Sequence, residues 1–439
     1  MRVNANASRQ VTPTIGSVTD SDRQHPVGLS AADVEKAATT LRAVLDPTPL
    51  ERSARLSAVT GAEVFLKRED LQPTRSYKGR GAYTFLDRLG ADERAVGVVC
   101  ASAGNHAQGV AFACARAGVR ARIYLPRTTP RQKRDRVATL GGDVVEVLVE
   151  GDTYDDSAAL AAEHAARTGA TLVPAFDHPH VVAGQGTVLP EAVEQLGRVP
   201  DVVVLPVGGG GLIAGNLLWL AEHAPNARVV GVEPAGAAGM AAAVAAGEPV
   251  DLEHVEAFVD GAAVRRVGSL THAIVDAHRP ELVTVAEGQV CVEMLELYQV
   301  DGIIAEPAGA LAPAALADLD LHAGATVVCV LSGGNNDVSR YAEVVERALV
   351  HTGRKHYFLV DFPQEPGALR QFLDDVLGED DDITLFEYVK RNNRETGPAL
   401  VGIELGSSAD LEPLLARMET APPKIERIPP DSPLFRFLL

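Results

Sequence analysis

Apolar residues recur along this chain in two alternating rhythms. Residues 96–100, 121–125, 144–149 and 202–207 are short apolar runs rich in β-branched side chains. Each is followed by a stretch in which apolar positions return every three or four residues, at 109–117, 132–140, 157–168 and 212–223. Continuous runs suit strands buried on both faces, and the longer spacing suits helices. Strand and helix in alternation imply right-handed crossovers and a parallel sheet covered on both sides. The body, to about residue 345, therefore reads as α/β. Ahead of it, Ser30 followed by Asp33 forms a helix-capping pattern, and Val34, Ala37, Ala38, Leu41 and Val44 fall on one helical face. Residues 1–28 are rich in Ser, Thr, Asn, Gln and Pro without periodicity, which describes a disordered tail.

The rhythm changes near the C-terminus. Residues 356–362 read as a strand, 366–377 as a helix, 383–391 and 399–405 as strands, 411–418 as a helix, and Ile425 marks a last short strand. The order β-α-β-β-α-β is that of a ferredoxin-like domain, here over residues 356–439. Residues 346–355, containing Thr352 and Gly353, read as the linker.

Composition narrows the functional classes. A chain of 439 residues with 46% hydrophobic content can bury a core of two or three domains. A formal charge of −19 disfavours nucleic acid or anionic lipid as partner. Cys100, Cys114, Cys291 and Cys329 lie in apolar stretches without CxxC spacing, as reduced thiols of a cytoplasmic protein would, and no zinc site is expected. No apolar run reaches the ~20 residues that span a bilayer. Only seven of the 40 basic residues are lysines. Because guanidinium stays protonated, a lysine within a motif marks a place where a free amine could act.

Four segments could carry chemistry. In the first, residues 67–82, Pro73 imposes an extended turn and Ser76 is placed to cap a helix whose first turn holds Lys78; the helix dipole there disfavours the charged amine. The bland alternative is a solvated lysine. The second, Ala101-Ser102-Ala103-Gly104-Asn105-His106, joins a strand to a helix and suits a carboxylate, or is merely a glycine-rich turn. The third, Gly208-Gly209-Gly210-Gly211-Leu212, lets backbone amides wrap a phosphate. Gly209, Gly211 and Ala214 also fit a dinucleotide fingerprint, with Glu233 as the ribose-binding acid. In the fourth, Ser332 follows a buried apolar run and presents a hydroxyl, or simply forms a turn. Glu306-Pro307-Ala308-Gly309-Ala310 reads as a helix start with an acid near its dipole.

Together, in this order and spacing, the four segments resemble the tryptophan-synthase-like, fold-type II pyridoxal-phosphate enzymes, and most closely their biosynthetic threonine dehydratases. The resemblance implies two open, twisted parallel-sheet subdomains within residues 29–345, the smaller at roughly 96–180. It implies that Lys78 holds pyridoxal 5'-phosphate as a Schiff base and serves as general base. Gly208, Gly209, Gly210, Gly211 and Leu212 would cradle the phosphate, Asn105 would meet the ring hydroxyl, and Ser332 would bond the pyridine nitrogen. Ser102, Asn105 and His106 would hold the substrate carboxylate. By the same resemblance Glu306-Pro307-Ala308-Gly309-Ala310 reads equally as a wall of the cofactor pocket. The implied reaction is loss of water from L-threonine to give 2-oxobutanoate and ammonia, the committed step of isoleucine biosynthesis, with serine as side substrate. Ala103 stands where similar racemases carry a hydroxyl, and Ala235-Gly236-Ala237-Ala238-Gly239 lacks the metal-binding acid of related serine enzymes, so no metal is expected. The C-terminal segment resembles an ACT-like regulatory domain. By that likeness Pro366, Gly367, Ala368 and Leu369, with Phe386 and Tyr388, would receive isoleucine, the alternative being a domain for dimerisation. A symmetric dimer or tetramer is expected.

Overall fold

The computed structural model describes residues 28–388, 395–430, 432, 434, 435 and 438. The expected tail, apart from Gly28, and the last three residues of the strand expected at 383–391 lie outside the described residues.

Strands numbered in chain order form three sheets. The largest has the order β1 (Leu50–Arg52), β2 (Glu63–Arg68), β10 (Thr326–Leu331), β7 (Val202–Pro206), β8 (Arg228–Pro234), β9 (Glu281–Val285). All neighbours run parallel except the antiparallel edge pair β1 and β2. The pleat sorts side chains into two cores: Val64, Leu66, Val202, Val204, Cys329 and Leu331 face one, and Val203, Leu205, Val328 and Val330 face the other. That two-sided burial is why these runs are continuously apolar. The second sheet is parallel, in the order β5 (Val145–Val149), β4 (Ala121–Leu125), β3 (Val98–Ala101), β6 (Thr171–Leu172), with its own core around Val110, Ala111, Ile123 and Leu125.

The third sheet is antiparallel, in the order β12 (Asp382–Tyr388), β13 (Thr396–Glu404), β11 (Lys355–Pro363), β14 (Lys424–Ile428). Helices Ala368–Val376 and Leu411–Thr420 bury Phe372, Val376, Leu414 and Met418 against Phe358, Val360, Phe362 and Val401. This is the ferredoxin-like order read from the sequence.

Three local expectations change. The helix after β3 begins at Asn105, four residues before the apolar periodicity becomes legible, so the Ser102–His106 loop runs into its first turn. Ser76 does not cap the Lys78 helix: Tyr77 is its N-cap, while Ser76 forms an isolated bridge with Gly333 at the end of β10. Residues 346–351 are not a linker but the end of helix Tyr341–His351, which buries Val344 and Ala348 against the body; only Thr352 to Arg354 turn the chain into β11.

Candidate active site

Lys78 is the first residue of helix Lys78–Asp87. The turn before it places Arg75 in the left-handed region, at φ 53°, an uncommon conformation for a residue with a side chain. The Lys78 helix crosses helix Asn105–Ala117 at a distance that excludes a side chain: a Cβ on Gly109 would lie 3.0 Å from the Lys78 carbonyl carbon and oxygen. The first turn of one helix is thus pressed onto the other. Between the two parallel sheets lies a cavity of about 630 Å³, lined by Lys78, Ser102, Asn105, His106, the Gly208–Leu212 loop, Glu306 and Asn335. Lys78 Nζ donates to the Ala175 carbonyl at 3.2 Å.

A second lysine, Lys67, is fully buried close by in sequence. Its Nζ donates to the Thr48 carbonyl at 2.6 Å, Glu191 Oε1 at 2.6 Å and Gln195 Oε1 at 2.9 Å. Burial outweighs the attraction of Glu69 and Glu191 and pushes its pKa down. Lys67 is not among the residues lining the cavity, and its three acceptors use all three of its protons.

Facing Lys78, Asn105 Nδ2 donates to Glu306 Oε1 at 2.5 Å, and Asn105 Oδ1 accepts from Asn335 Nδ2 at 2.7 Å. Burial, and then the negative charge of Asp260, pushes Glu306 up to about 7 against the opposing Asn105 hydrogen bond and Lys133 charge. His106 Nε2 meets the Val173 carbonyl at 2.9 Å, and since a carbonyl only accepts, that nitrogen carries the proton. Burial and the Lys78 charge push His106 down to about 4, so the ring is neutral. Its side chain is committed to Val173, which leaves its position at the helix start as what it offers an anion. Ser102 Oγ accepts from the Gly104 amide at 3.3 Å.

The glycine loop follows β7 and starts helix Gly211–His223. Gly210 has φ +90°, and a Cβ there would lie 2.5 Å from Met240 Cε and 2.8 Å from Thr271 Oγ1. The loop is held by residues the sequence did not single out: Phe176, which lines the cavity and whose ring lies 2.4 Å from where a Gly209 Cβ would stand, and the buried Thr271, whose Oγ1 donates to the Gly209 carbonyl at 2.7 Å. The first amides of such a helix have no intrahelical acceptor and suit an anion, and Gly208 to Leu212 line the cavity. Glu233 serves elsewhere. Its two oxygens accept from the Met240 and Ala241 amides at 2.6 and 2.8 Å, and burial pushes it up to about 7. The dinucleotide alternative thereby loses its acid.

Residues 41–333 match the family of pyridoxal-phosphate dependent enzymes, and residues 346–438 match the C-terminal regulatory domain of threonine dehydratase. The chain belongs to the pyridoxal-phosphate dependent enzymes. It is 62% identical over 94% of its length to the biosynthetic L-threonine dehydratase of Mycobacterium tuberculosis, covering 96% of that protein. The Bacillus subtilis enzyme of that name is 47% identical, over 92% of this chain and 96% of its own. Among solved structures, the processed form of threonine deaminase isoform 2 from Solanum lycopersicum superposes with TM-score 0.68 at 37% identity, covering 77% of this chain and 99% of that one.

The residues present fit the family's cofactor. A lysine amine and a glycine-lined helix start open onto one cavity, so an aldehyde and a phosphate on one small molecule could be engaged together. Ser332 is placed differently from the other candidates. It is buried at the end of β10, its Oγ donates to the Ala308 carbonyl at 3.0 Å, and it is not among the residues lining the cavity.

The C-terminal candidates lie at one end of the third sheet. Gly367, at φ 96°, begins helix Ala368–Val376, and Leu369 is 41% exposed. Phe362 packs against Phe386 and Tyr388, with ring centroids 5.8 and 6.1 Å away, and Tyr388 is 37% exposed.

Proposed function

We propose that this enzyme eliminates water from L-threonine, releasing 2-oxobutanoate and ammonia, and that isoleucine bound to the C-terminal domain inhibits it. Bound pyridoxal phosphate supplies an aldehyde that joins an amine covalently and a conjugated ring that absorbs negative charge from the adjoining carbon. Lys78 would hold the cofactor through its aldehyde, and its Nζ, when free, would take the α-proton. The amides of Ser102 to His106, at a helix start, and the Ser102 hydroxyl receive the substrate carboxylate. Asn105, fixed between Glu306 and Asn335, orients the cofactor's ring hydroxyl. Gly208 to Leu212 would hold the phosphate, and Ser332, whose hydroxyl donates to the Ala308 carbonyl, would have to turn from that bond to meet the pyridine nitrogen.

The observation that carries this reading is convergence: Lys78, the Ser102–His106 loop and the glycine loop, from three parts of the chain, meet in one cavity. Identity of 60% and 62% to enzymes named as biosynthetic threonine dehydratases supports threonine as substrate. Ala103 lines the cavity without an exchangeable proton, which favours elimination over racemisation. Discrimination of one methyl is worth only ~1–3 kcal/mol, so serine is a side substrate. The work is done in the cytoplasm by a symmetric oligomer. Steady-state rates with threonine and serine, with and without isoleucine, test the proposal: 2-oxobutanoate must form, and isoleucine must slow it.

A further inference from the structure

The cavity lies between two subdomains, and one ion pair spans its mouth. Lys133, on helix Arg131–Gly141 of the smaller subdomain, places Nζ 3.0 Å from Asp260 Oδ2, in the segment between β8 and β9 of the larger one. Both residues line the cavity, and both charges act on Glu306 inside it, Asp260 raising its pKa and Lys133 lowering it. We propose that Lys133 and Asp260 are positioning residues that clasp the smaller subdomain across the mouth of the active-site cavity.

The two ends of the clasp are held differently. Asp260 is a fixed post. Arg340 Nη1 lies 3.8 Å from it, Arg340 Nη2 donates to the Phe258 carbonyl at 2.7 Å, and the guanidiniums of Arg340 and Arg347 sit 4.8 and 4.5 Å from the Phe258 ring centroid. Lys133 is the arm. Its helix packs on helix Asn105–Ala117, so tension at Lys133 is passed to the turn that presents Ser102 to His106. Arg136, one turn along the same helix, donates to the Pro73 carbonyl in the approach to Lys78, so this helix touches both sides of the reacting region. The pair is less exposed than the surface pair of Arg127 and Asp152, at 67% and 78%: the Lys133 side chain is 19% and the Asp260 side chain 45% exposed, and the two join separate subdomains. Opening the clasp loosens the carboxylate loop and lets solvent reach the cofactor, which predicts weaker substrate capture more than slower chemistry. The kinetic part rests on the proposed roles of Ser102 to His106, and the solvent-access part does not.

The test uses holoenzyme and two readouts: quenching of the bound cofactor's fluorescence by acrylamide, and steady-state kinetics with threonine. Lys133→Met and Asp260→Asn should each raise the quenching constant about threefold and KM about fivefold, with kcat within about twofold of the parent. The reversed pair, Lys133→Asp with Asp260→Lys, should bring quenching back towards the parent, and Arg127→Gln should leave it unchanged. Quenching in both single variants equal to that of the parent, or no recovery in the reversed pair, overturns the clasp. If the parent is inactive on threonine yet the quenching pattern holds, the clasp stands and the substrate reading fails.

Discussion

The catalytic body and the C-terminal domain hold their candidate residues in opposite ways. In the body, Asn105 is hydrogen-bonded on both sides of its amide, Glu306 is 5% exposed, and the glycine loop is wedged against Phe176 and Met240. In the C-terminal domain, Leu369 and Tyr388 stand partly open to solvent at the rim of an aromatic cluster. Chemistry requires groups already in place when the substrate arrives, because reorganisation would be charged to the barrier. Regulation requires a surface whose free energy still changes when an effector binds, because an effector shifts an equilibrium only through differential affinity.

The sharpest way to break the contrast is at the amine. Lys78→Ala should lower 2-oxobutanoate formation by ~10³-fold or more, since both covalent attachment and the base are lost; assay at high enzyme concentration checks this, and near-parental turnover would remove Lys78 from its role.

The cost of preorganisation should next be visible at Glu306. Its carboxyl is raised from 4.5 to about 7, so between those values the folded state binds more protons than the unfolded chain. Its penalty is therefore absent below pH 4.5, grows as pH rises, and is complete above about 7. Relative to the parent, cofactor-free Glu306→Gln should gain up to roughly 3 kcal/mol between pH 4.5 and pH 8, read from urea unfolding. A difference independent of pH would show that the carboxyl titrates normally.

At Gly210 the expected effect is smaller. Alanine must adopt φ +90° and place a Cβ beside Met240 and Thr271, at a cost of about 1–3 kcal/mol, and pyridoxal-phosphate affinity by equilibrium dialysis should fall correspondingly.

The mildest change falls on the other side of the comparison. A chain ending at Gly353 keeps helix Tyr341–His351 on the body and should keep its kcat. It should lose isoleucine inhibition, a coupling of roughly 1–3 kcal/mol. Persistent inhibition would place the effector site in the body.

What could be read from the sequence follows from range. Continuous apolar runs announced the inner strands because both faces of each are buried, and the third sheet was legible because each of its elements has a plain period. Lys78 stood out because lysine is scarce, and the four consecutive glycines because backbone must approach there. The partnerships were not legible. Glu306 meets Asn105 across 201 positions and Lys133 meets Asp260 across 127, and neither separation has a local signature. Ser332 looked like a free hydroxyl because nothing nearby in sequence reveals its bond to Ala308. Helix Tyr341–His351 was cut at residue 345 because Thr352 and Gly353 suggested a linker, although Val344 and Ala348 already kept the helical spacing.

Two buried or half-buried lysines stand eleven positions apart, and the account assigns the cofactor to one of them. Borohydride reduction of the holoenzyme, proteolysis and mass spectrometry measure that directly. The pyridoxyl group should be found on Lys78 alone; its appearance on Lys67, or on no lysine, would contradict the assignment on which the site is built.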